Sequence, residues 1–260
     1  MLNEKYTQYD NVNELLHLLL TNVKGILKDQ FVGMYLYGSL SSGDFNPESS
    51  DVDFLVVTET PLNEKIISEL EEMHNQTWAT SIKRAGELEG AYIYKDLIRK
   101  HDSNSLKVPT INEGKFYLDS PGSDWIIQRH VVREYGVVIE GADPKTLIDF
   151  VSAEDISKSI MGVLKEWWYP MLENPEWLRD HHDGYRSFAV ITMCRVLHGL
   201  ETGTITSKPK ATAWAKENLD SKWKILIDKA VAISNHEEQE ISLAETLEFI
   251  QYTKEQIEGK

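Results

Sequence analysis

Two aspartates, Asp51 and Asp53, open the apolar run DVDFLVV (51–57). Side chains alternate along a strand, so this spacing aims both carboxylates at one face. Like charges side by side repel, and desolvating them is costly unless a cation lies between them. A divalent cation with hard oxygen ligands fits the pair. Mg2+ in particular takes one or two carboxylates and completes its shell with phosphate oxygens and water. Ser39 lies twelve residues before Asp51, in GSLSSG (38–43), directly after another strand-like run. Gly38 and Ser39 there can turn backbone N–H groups and a hydroxyl toward an anion. A short helix starting in SLSSG would add the attraction of its N-terminus for phosphate. Each motif alone is an ordinary turn or a solvated strand end. Their order, from strand through Gly-Ser to Asp-x-Asp and a second strand, points to metal and phosphate chemistry.

Several elements must hold these groups in place. GMYLYG (33–38) and DVDFLVV (51–57) predict strands. Residues 11–28 predict an amphipathic helix with Val12, Leu15, Leu16, Leu19, Val23, Ile26 and Leu27 on its apolar face. NEKIISELEEMHNQT (63–77) reads as a helix and GAYIYKDLI (90–98) as a strand. Residues 99–122 contain Pro109, Gly114, Pro121 and Gly122 and read as a long loop, a kind of segment that often carries function. SDWIIQRHVVREYG (123–136) predicts a short helix capped by Ser123 or Asp124 and closed by Gly136, and VVIEG (137–141) a further strand. Beyond GADPKTL the pattern becomes helical, at 153–172 and near 184–201, 209–218, 221–235 and 241–258. The expected fold class is α+β: a mixed-sheet domain over 1–148, then an all-α helical bundle over 149–260.

The formal net charge of −15 disfavours a nucleic-acid-gripping protein, which needs a basic footprint, and suits a small cationic partner. No apolar stretch approaches a membrane span, and the polar start MLNEKYTQYDN has no signal-peptide core. The single cysteine, Cys194, excludes an internal disulfide and reads as a small buried hydrophobe, so a reducing cytoplasm is the simplest setting.

The run YGSLSSG…SSDVDFLVV resembles the signature of the nucleotidyltransferase superfamily with a DNA polymerase β-like core. The resemblance implies a nucleoside triphosphate held with Mg2+ on Asp51 and Asp53, with transfer of a nucleotidyl group to a hydroxyl. It also implies a third carboxylate from a later strand, with Glu87 and Glu89 as candidates before GAYIYKD. In aminoglycoside adenylyltransferases of the streptomycin and spectinomycin resistance type the third acid precedes another acid by seven positions. Glu89 with Asp96 matches that spacing, which makes Glu89 the expected general base and Glu87 its rival one strand period away. DWIIQRHVVREYGVVIEGADP (124–144) is similar to the helix and strand that close the family's first domain. RVLHGLETGTITSKPKATAWA (195–215) resembles a family stretch whose Arg and Lys, thirteen residues apart, reach the triphosphate; here these are Arg195 and Lys208. The chain departs from the family in the loop after the third acid, which has no tryptophan, and near Ile233, where KAVAISNHEE carries no tyrosine.

The resemblance implies ATP as co-substrate, Mg2+ as cofactor and a cationic aminoglycoside as acceptor. In ENPEWLRDHHDGYRS (173–187), Trp177, Asp180 and Asp183 offer an aromatic face and carboxylates suited to an amino sugar. His181 and His182 lack a Cys or acid at zinc spacing. Trp167 and Trp168 read as packing. Three other readings stand beside the drug-modifying one. The acceptor is a protein or another small molecule, the chain is a nucleotide-binding regulator without turnover, or it is an RNA-tailing polymerase, which its acidity disfavours.

Overall fold

The computed structural model describes residues 5–102, 105–181 and 183–259. It divides into two compact units, one of Met1–Asn46 with Ser50–Phe150 and one of Pro47–Ser49 with Val151–Lys260.

The first unit is built on a six-stranded sheet. In chain order its elements are α1 (Asp10–Leu27), β1 (Phe31–Leu36), α2 (Gly38–Ser42), β2 (Val52–Thr58), α3 (Glu64–Trp78), β3 (Leu88–Tyr94), α4 (Lys95–Arg99), β4 (Val108–Asn112), β5 (Lys115–Asp119), α5 (Asp124–Tyr135), β6 (Val137–Gly141) and α6 (Pro144–Leu147). The strand order is β5-β4-β3-β2-β1-β6. Only β2 and β3 run parallel; the remaining neighbours are antiparallel.

The two sheet faces are covered differently. Val12, Leu15, Leu16, Leu19 and Val23 of α1 and Leu70 and Met73 of α3 pack on one face, against Met34, Leu36, Phe54, Val56 and Tyr92. These are the α1 positions that the 3.6-residue period marks as apolar, and burying them anchors the helix. The opposite face carries Tyr35, Leu55, Val57, Ala91 and Ile93 under Ile98, Val132 and Leu147 of α4, α5 and α6. Strand alternation therefore places Asp53 and Glu89 on this second face, one period before Leu55 and Ala91.

Three expectations for the first unit are corrected. Residues 99–122 are not one loop: β4 and β5 form an antiparallel hairpin, with Asn112 opposite Lys115. Glu113 and Gly114 both have positive φ, 49° and 67°, the requirement of a tight hairpin turn. Val108 and Ile111 then bury on opposite faces. Likewise the strand expected over 90–98 stops at Tyr94, and α4 takes over at Lys95. Asp96 therefore sits in a helix. The cap expected of Ser123 is not made by its side chain.

The second unit is helical. It comprises α7 (Ala153–Val163), α8 (Pro170–Glu173), α9 (Glu176–Asp180), α10 (Asp183–Thr202), α11 (Lys208–Asn218), α12 (Lys224–Ser234) and α13 (Leu243–Glu258). Capping boxes at Ser152 with Asp155 and at Ser242 with Glu245 start α7 and α13. The helix expected over 153–172 is interrupted by a π-helical turn, Leu164–Trp168, just before Pro170. Proline cannot donate to the helical ladder and crowds the preceding turn, which favours such a break. Helix α10 is central, packing on α7, α11, α12 and α13, with Ala189, Met193 and Cys194 fully buried. Burial pushes the Cys194 thiol up to about 12, as expected of an inert core residue. No described helix is long and apolar enough to cross a membrane.

Candidate active site

The candidate site forms where the end of β1 meets the starts of β2 and β3. Strand β1 runs out at Leu36, and Tyr37 donates its N–H to the Asp53 carbonyl at 3.3 Å. Gly38 follows with φ +62°, in the left-handed region. Any side chain there would collide with Asp53, because a Cβ would lie 2.5 Å from the Asp53 Cγ. The glycine thus lets the backbone close directly onto a carboxylate. The next residues make α2, the short helix expected in SLSSG, and Gly43 ends it with φ +78°. The Ser39 hydroxyl oxygen is buried and has no hydrogen-bond partner among the described residues, a donor suited to an incoming phosphate oxygen.

Asp53 is the second residue of β2, and its register partner on parallel β3 is Glu89. Neighbouring strands lie about 4.8 Å apart, so the two carboxylates leave the same face as neighbours. Asp51 precedes the strand and is exposed. Glu87 is excluded from this pairing. It lies before β3, in a 3-10 turn of Ala85–Glu87, and forms an ion pair with Arg84 at 2.7 Å.

Arg84 was not singled out from the sequence. Its side chain is almost wholly buried, it sits over the Phe45 ring at 5.0 Å, and it donates to the Ser50 carbonyl. It thereby ties the approach to Asp51 to the approach to Glu89. An arginine beside Lys83, three residues before Glu87, gives no sequence signal for this.

A cavity of about 170 Å³ opens beside Glu89. Tyr37, Asn112, Tyr117, Asp124 and Trp125 help to line it. Burial raises the Tyr37 phenol well above its ordinary pKa, and the Asp53, Glu89 and Asp124 carboxylates raise it further. The phenol stays protonated. Sequence reasoning missed Asn112 and Tyr117 of this wall because they come from the hairpin read as a loop. The available signals were the Glu-Gly turn and the alternation in KFYLD.

Among the described residues no group of three or more His, Cys, Asp or Glu side chains could hold a metal ion by itself. The donor set is instead two carboxylates beside an anion cradle, which suits a cation that shares its shell with phosphate oxygens.

The residues singled out in the helical half lie on the second unit. Arg195 is half-buried on α10, and Lys208 is the exposed first residue of α11. Trp177 on α9 packs with Trp167, His181 and Tyr185, at ring-centroid separations of 5.3, 4.7 and 4.7 Å. Trp168 is core, whereas Trp167 is 46% exposed. Asp180 ends α9, exposed. His182 and the Asp183 side chain lie outside the described residues.

Gly-Ser closed onto an acid, with a second acid in register on the next strand, is an arrangement suited to handling a nucleotide's phosphates. Residues 20–129 match the family model for a nucleotidyltransferase domain, and residues 146–256 match that for the aminoglycoside adenylyltransferase C-terminal domain. An aminoglycoside (3'') (9) adenylyltransferase of Klebsiella pneumoniae is 27% identical, covering 92% of this chain and 93% of that protein. A spectinomycin 9-adenylyltransferase of Campylobacter jejuni is 24% identical over 95% and 97%. The fold matches a crystal structure of a spectinomycin adenyltransferase from Enterococcus faecialis with ATP and spectinomycin. The TM-score is 0.74 at 20% identity, with 94% of this chain and 98% of that one covered. The chain is a nucleotidyltransferase, with a nucleotidyltransferase domain followed by a domain that matches the aminoglycoside adenylyltransferase C-terminal domain.

Proposed function

We propose that this enzyme transfers AMP from ATP to a hydroxyl of an aminoglycoside of the spectinomycin or streptomycin type and releases pyrophosphate. The observation that carries the reading is the in-register pair Asp53 and Glu89 beneath Gly38. Glu89 accepts the proton of the acceptor hydroxyl, whose oxygen attacks the α-phosphorus as the bond to the bridging oxygen breaks. Gly38 and Ser39 hold the triphosphate through the backbone and the buried hydroxyl. Mg2+, with Asp51 and Asp53 as its protein ligands, would supply charge neutralisation at the phosphates. Arg195 and Lys208 take further phosphate charge in this proposal, and Trp177, Asp180 and Asp183 contact the acceptor. The 1–148 and 149–260 halves are assigned catalysis and substrate contacts respectively. ATP as co-substrate and a buried free thiol fit a cytoplasmic setting.

The test is to incubate the protein with ATP, Mg2+ and a panel including spectinomycin and streptomycin. A mass gain of one AMP on a drug is expected. No product across the panel, with active control enzymes, refutes the drug reading. Labelling of lysate proteins by radiolabelled ATP would then move the acceptor to a protein.

A further inference from the structure

Strand β5, with the sequence KFYLD, is one edge of the sheet. Among the described residues no strand pairs with its outer side. All of it is exposed except half-buried Phe116, and Tyr117 and Leu118 are 39% and 43% exposed. Apolar edges are normally blunted by a proline, a bulge or an unmatched charge, and β5 has neither proline nor bulge. Its hydrogen-bonding pattern follows from the hairpin. The two-residue turn Glu113–Gly114 closes on a hydrogen-bonded pair, Asn112 with Lys115. Bonded pairs alternate from there, so Thr110–Tyr117 is bonded across the hairpin, while Ile111–Phe116 and Pro109–Leu118 are not. Pro109, with no N–H to give, stands at one of these unbonded positions. Phe116 and Leu118 therefore turn their N–H and C=O groups outward, to the open edge.

We infer that β5 is the contact surface for a second copy of this chain, paired antiparallel and edge to edge about a two-fold axis at Tyr117. The segment is its own complement. Reversed against itself, it sets Phe116 opposite Leu118 of the second copy, and these two exchange both backbone bonds. Tyr117 meets Tyr117 at the centre. Lys115 meets Asp119 at each end, in an unbonded pair whose side chains come closest. The Asp119 carboxylate accepts the Ser120 N–H on one oxygen, at 2.8 Å, and has its other oxygen for the lysine. Such cross-strand pairs contribute roughly 0.2–1 kcal/mol each. The opposite edge has no such symmetry. Strand β6 reads VVIEG, which reversed sets no base against its acid, and Glu140 is already paired with Lys24. Tyr117 and Asp119 also line the cavity beside Glu89, so Lys115 of the second copy arrives at the wall of that cavity. A single five-residue edge is small beside the roughly 1,200–2,000 Å² of a stable interface, which sets a dissociation constant on the order of 10–100 μM. The net charge of −15 on each copy opposes approach, and salt at about 0.15 M screens it beyond about 8 Å.

The experiment is sedimentation velocity of the full chain from about 1 to about 300 μM, a range that brackets the expected constant, in about 0.15 M salt. Wild type is compared with Lys115→Asp and Asp119→Lys, each checked by melting temperature for retained fold. Wild type should pass from monomer to dimer with rising concentration. By the two-fold symmetry each substitution turns both end pairs into like charges, so each variant alone should associate at least about tenfold more weakly. An equal mixture of the two variants restores both pairs with opposite signs and should dimerise like wild type. Hydrogen exchange of the segment 115–119 should slow at high concentration in wild type and in the mixture, and in neither variant alone. A wild type that stays monomeric throughout the range overturns the inference. Dimers that both variants form as well as wild type use another surface and overturn it too. A mixture that stays monomeric when its two components do overturns the antiparallel register, and the inference with it.

Discussion

Replacing Gly38 by alanine tests the closest approach in the site. The added Cβ would stand 2.5 Å from Asp53 Cγ, where ordinary contact begins at 3.4 Å. The carboxylate must retreat by roughly 1 Å, and a displacement of that size at reacting groups costs on the order of 100-fold in rate. The substitution also places a side chain at φ +62°, a strain of roughly 1–2 kcal/mol, partly offset by the loss of unfolded-state freedom. A net cost of about 1 kcal/mol lowers the melting temperature by about 2–4 °C for a unit of this size. Gly114→Ala is the control, because Gly114 has φ +67° and nothing within 4 Å of its would-be Cβ. Both variants should melt a few degrees lower. Only Gly38→Ala should lose about 100-fold in kcat/KM, with the loss in kcat. A folded Gly38→Ala enzyme within about threefold of wild type would refute the reasoning that Asp53 works from its place against Gly38.

Asp53→Asn should abolish turnover and the Mg2+-dependent part of the stabilisation by ATP. For the wild type that stabilisation reaches about 2.7 kcal/mol at a hundredfold excess over Kd, or roughly 5–10 °C by thermal shift, and retained turnover would overturn the metal assignment. Arg84→Met removes the ion pair to Glu87 and the donor to Ser50. Glu87 is half exposed, so the cost should be about 2–3 kcal/mol in urea unfolding rather than the 3–5 of a fully buried pair. His74 is wholly buried, with Nε2 2.8 Å from the Tyr92 hydroxyl, and burial lowers its pKa to about 4. Between pH 6.5 and 4 the unfolded chain binds a proton that the folded one does not, so stability falls as pH falls through that window, by up to about 3 kcal/mol. His74→Gln should remove that part of the acid sensitivity in urea midpoints compared at pH 7.5 and pH 4.5.

Much of the first unit is legible because its periodicities are clean. The α1 positions read as apolar from spacing are buried, apart from the half-buried Ile26, and the helix–strand order around DVDFLVV matches the elements found. The hairpin was hidden by Pro109 and the polar residues around it. Its turn needs only Glu113 and Gly114 at positive φ, which composition disguises as loop. The π-helical turn at Leu164–Trp168 is invisible to a 3.6-residue pattern because it inserts a single residue into an otherwise regular helix.

By itself the sequence placed a Gly-Ser turn after one strand and an Asp-x-Asp at the start of the next, since strand alternation and glycine's freedom are local properties; the strand itself begins at Val52, so only Asp53 of the pair lies within it. Strand alternation alone does not separate Glu87 from Glu89, which differ by one full strand period and would share a face; Glu89 is favoured by the resemblance and its spacing to Asp96. Tertiary structure separates the two. The 3-10 turn and the Arg84–Glu87 ion pair come before the strand, which begins at Leu88, and pairing with β2 then sets Glu89 beside Asp53. The same holds for the cavity. Tyr37, Glu89, Tyr117 and Asp124 are scattered over almost ninety positions of the chain. Only the pairing of strands and the packing of α5 bring them together, because such contacts are made across the sheet rather than along the chain.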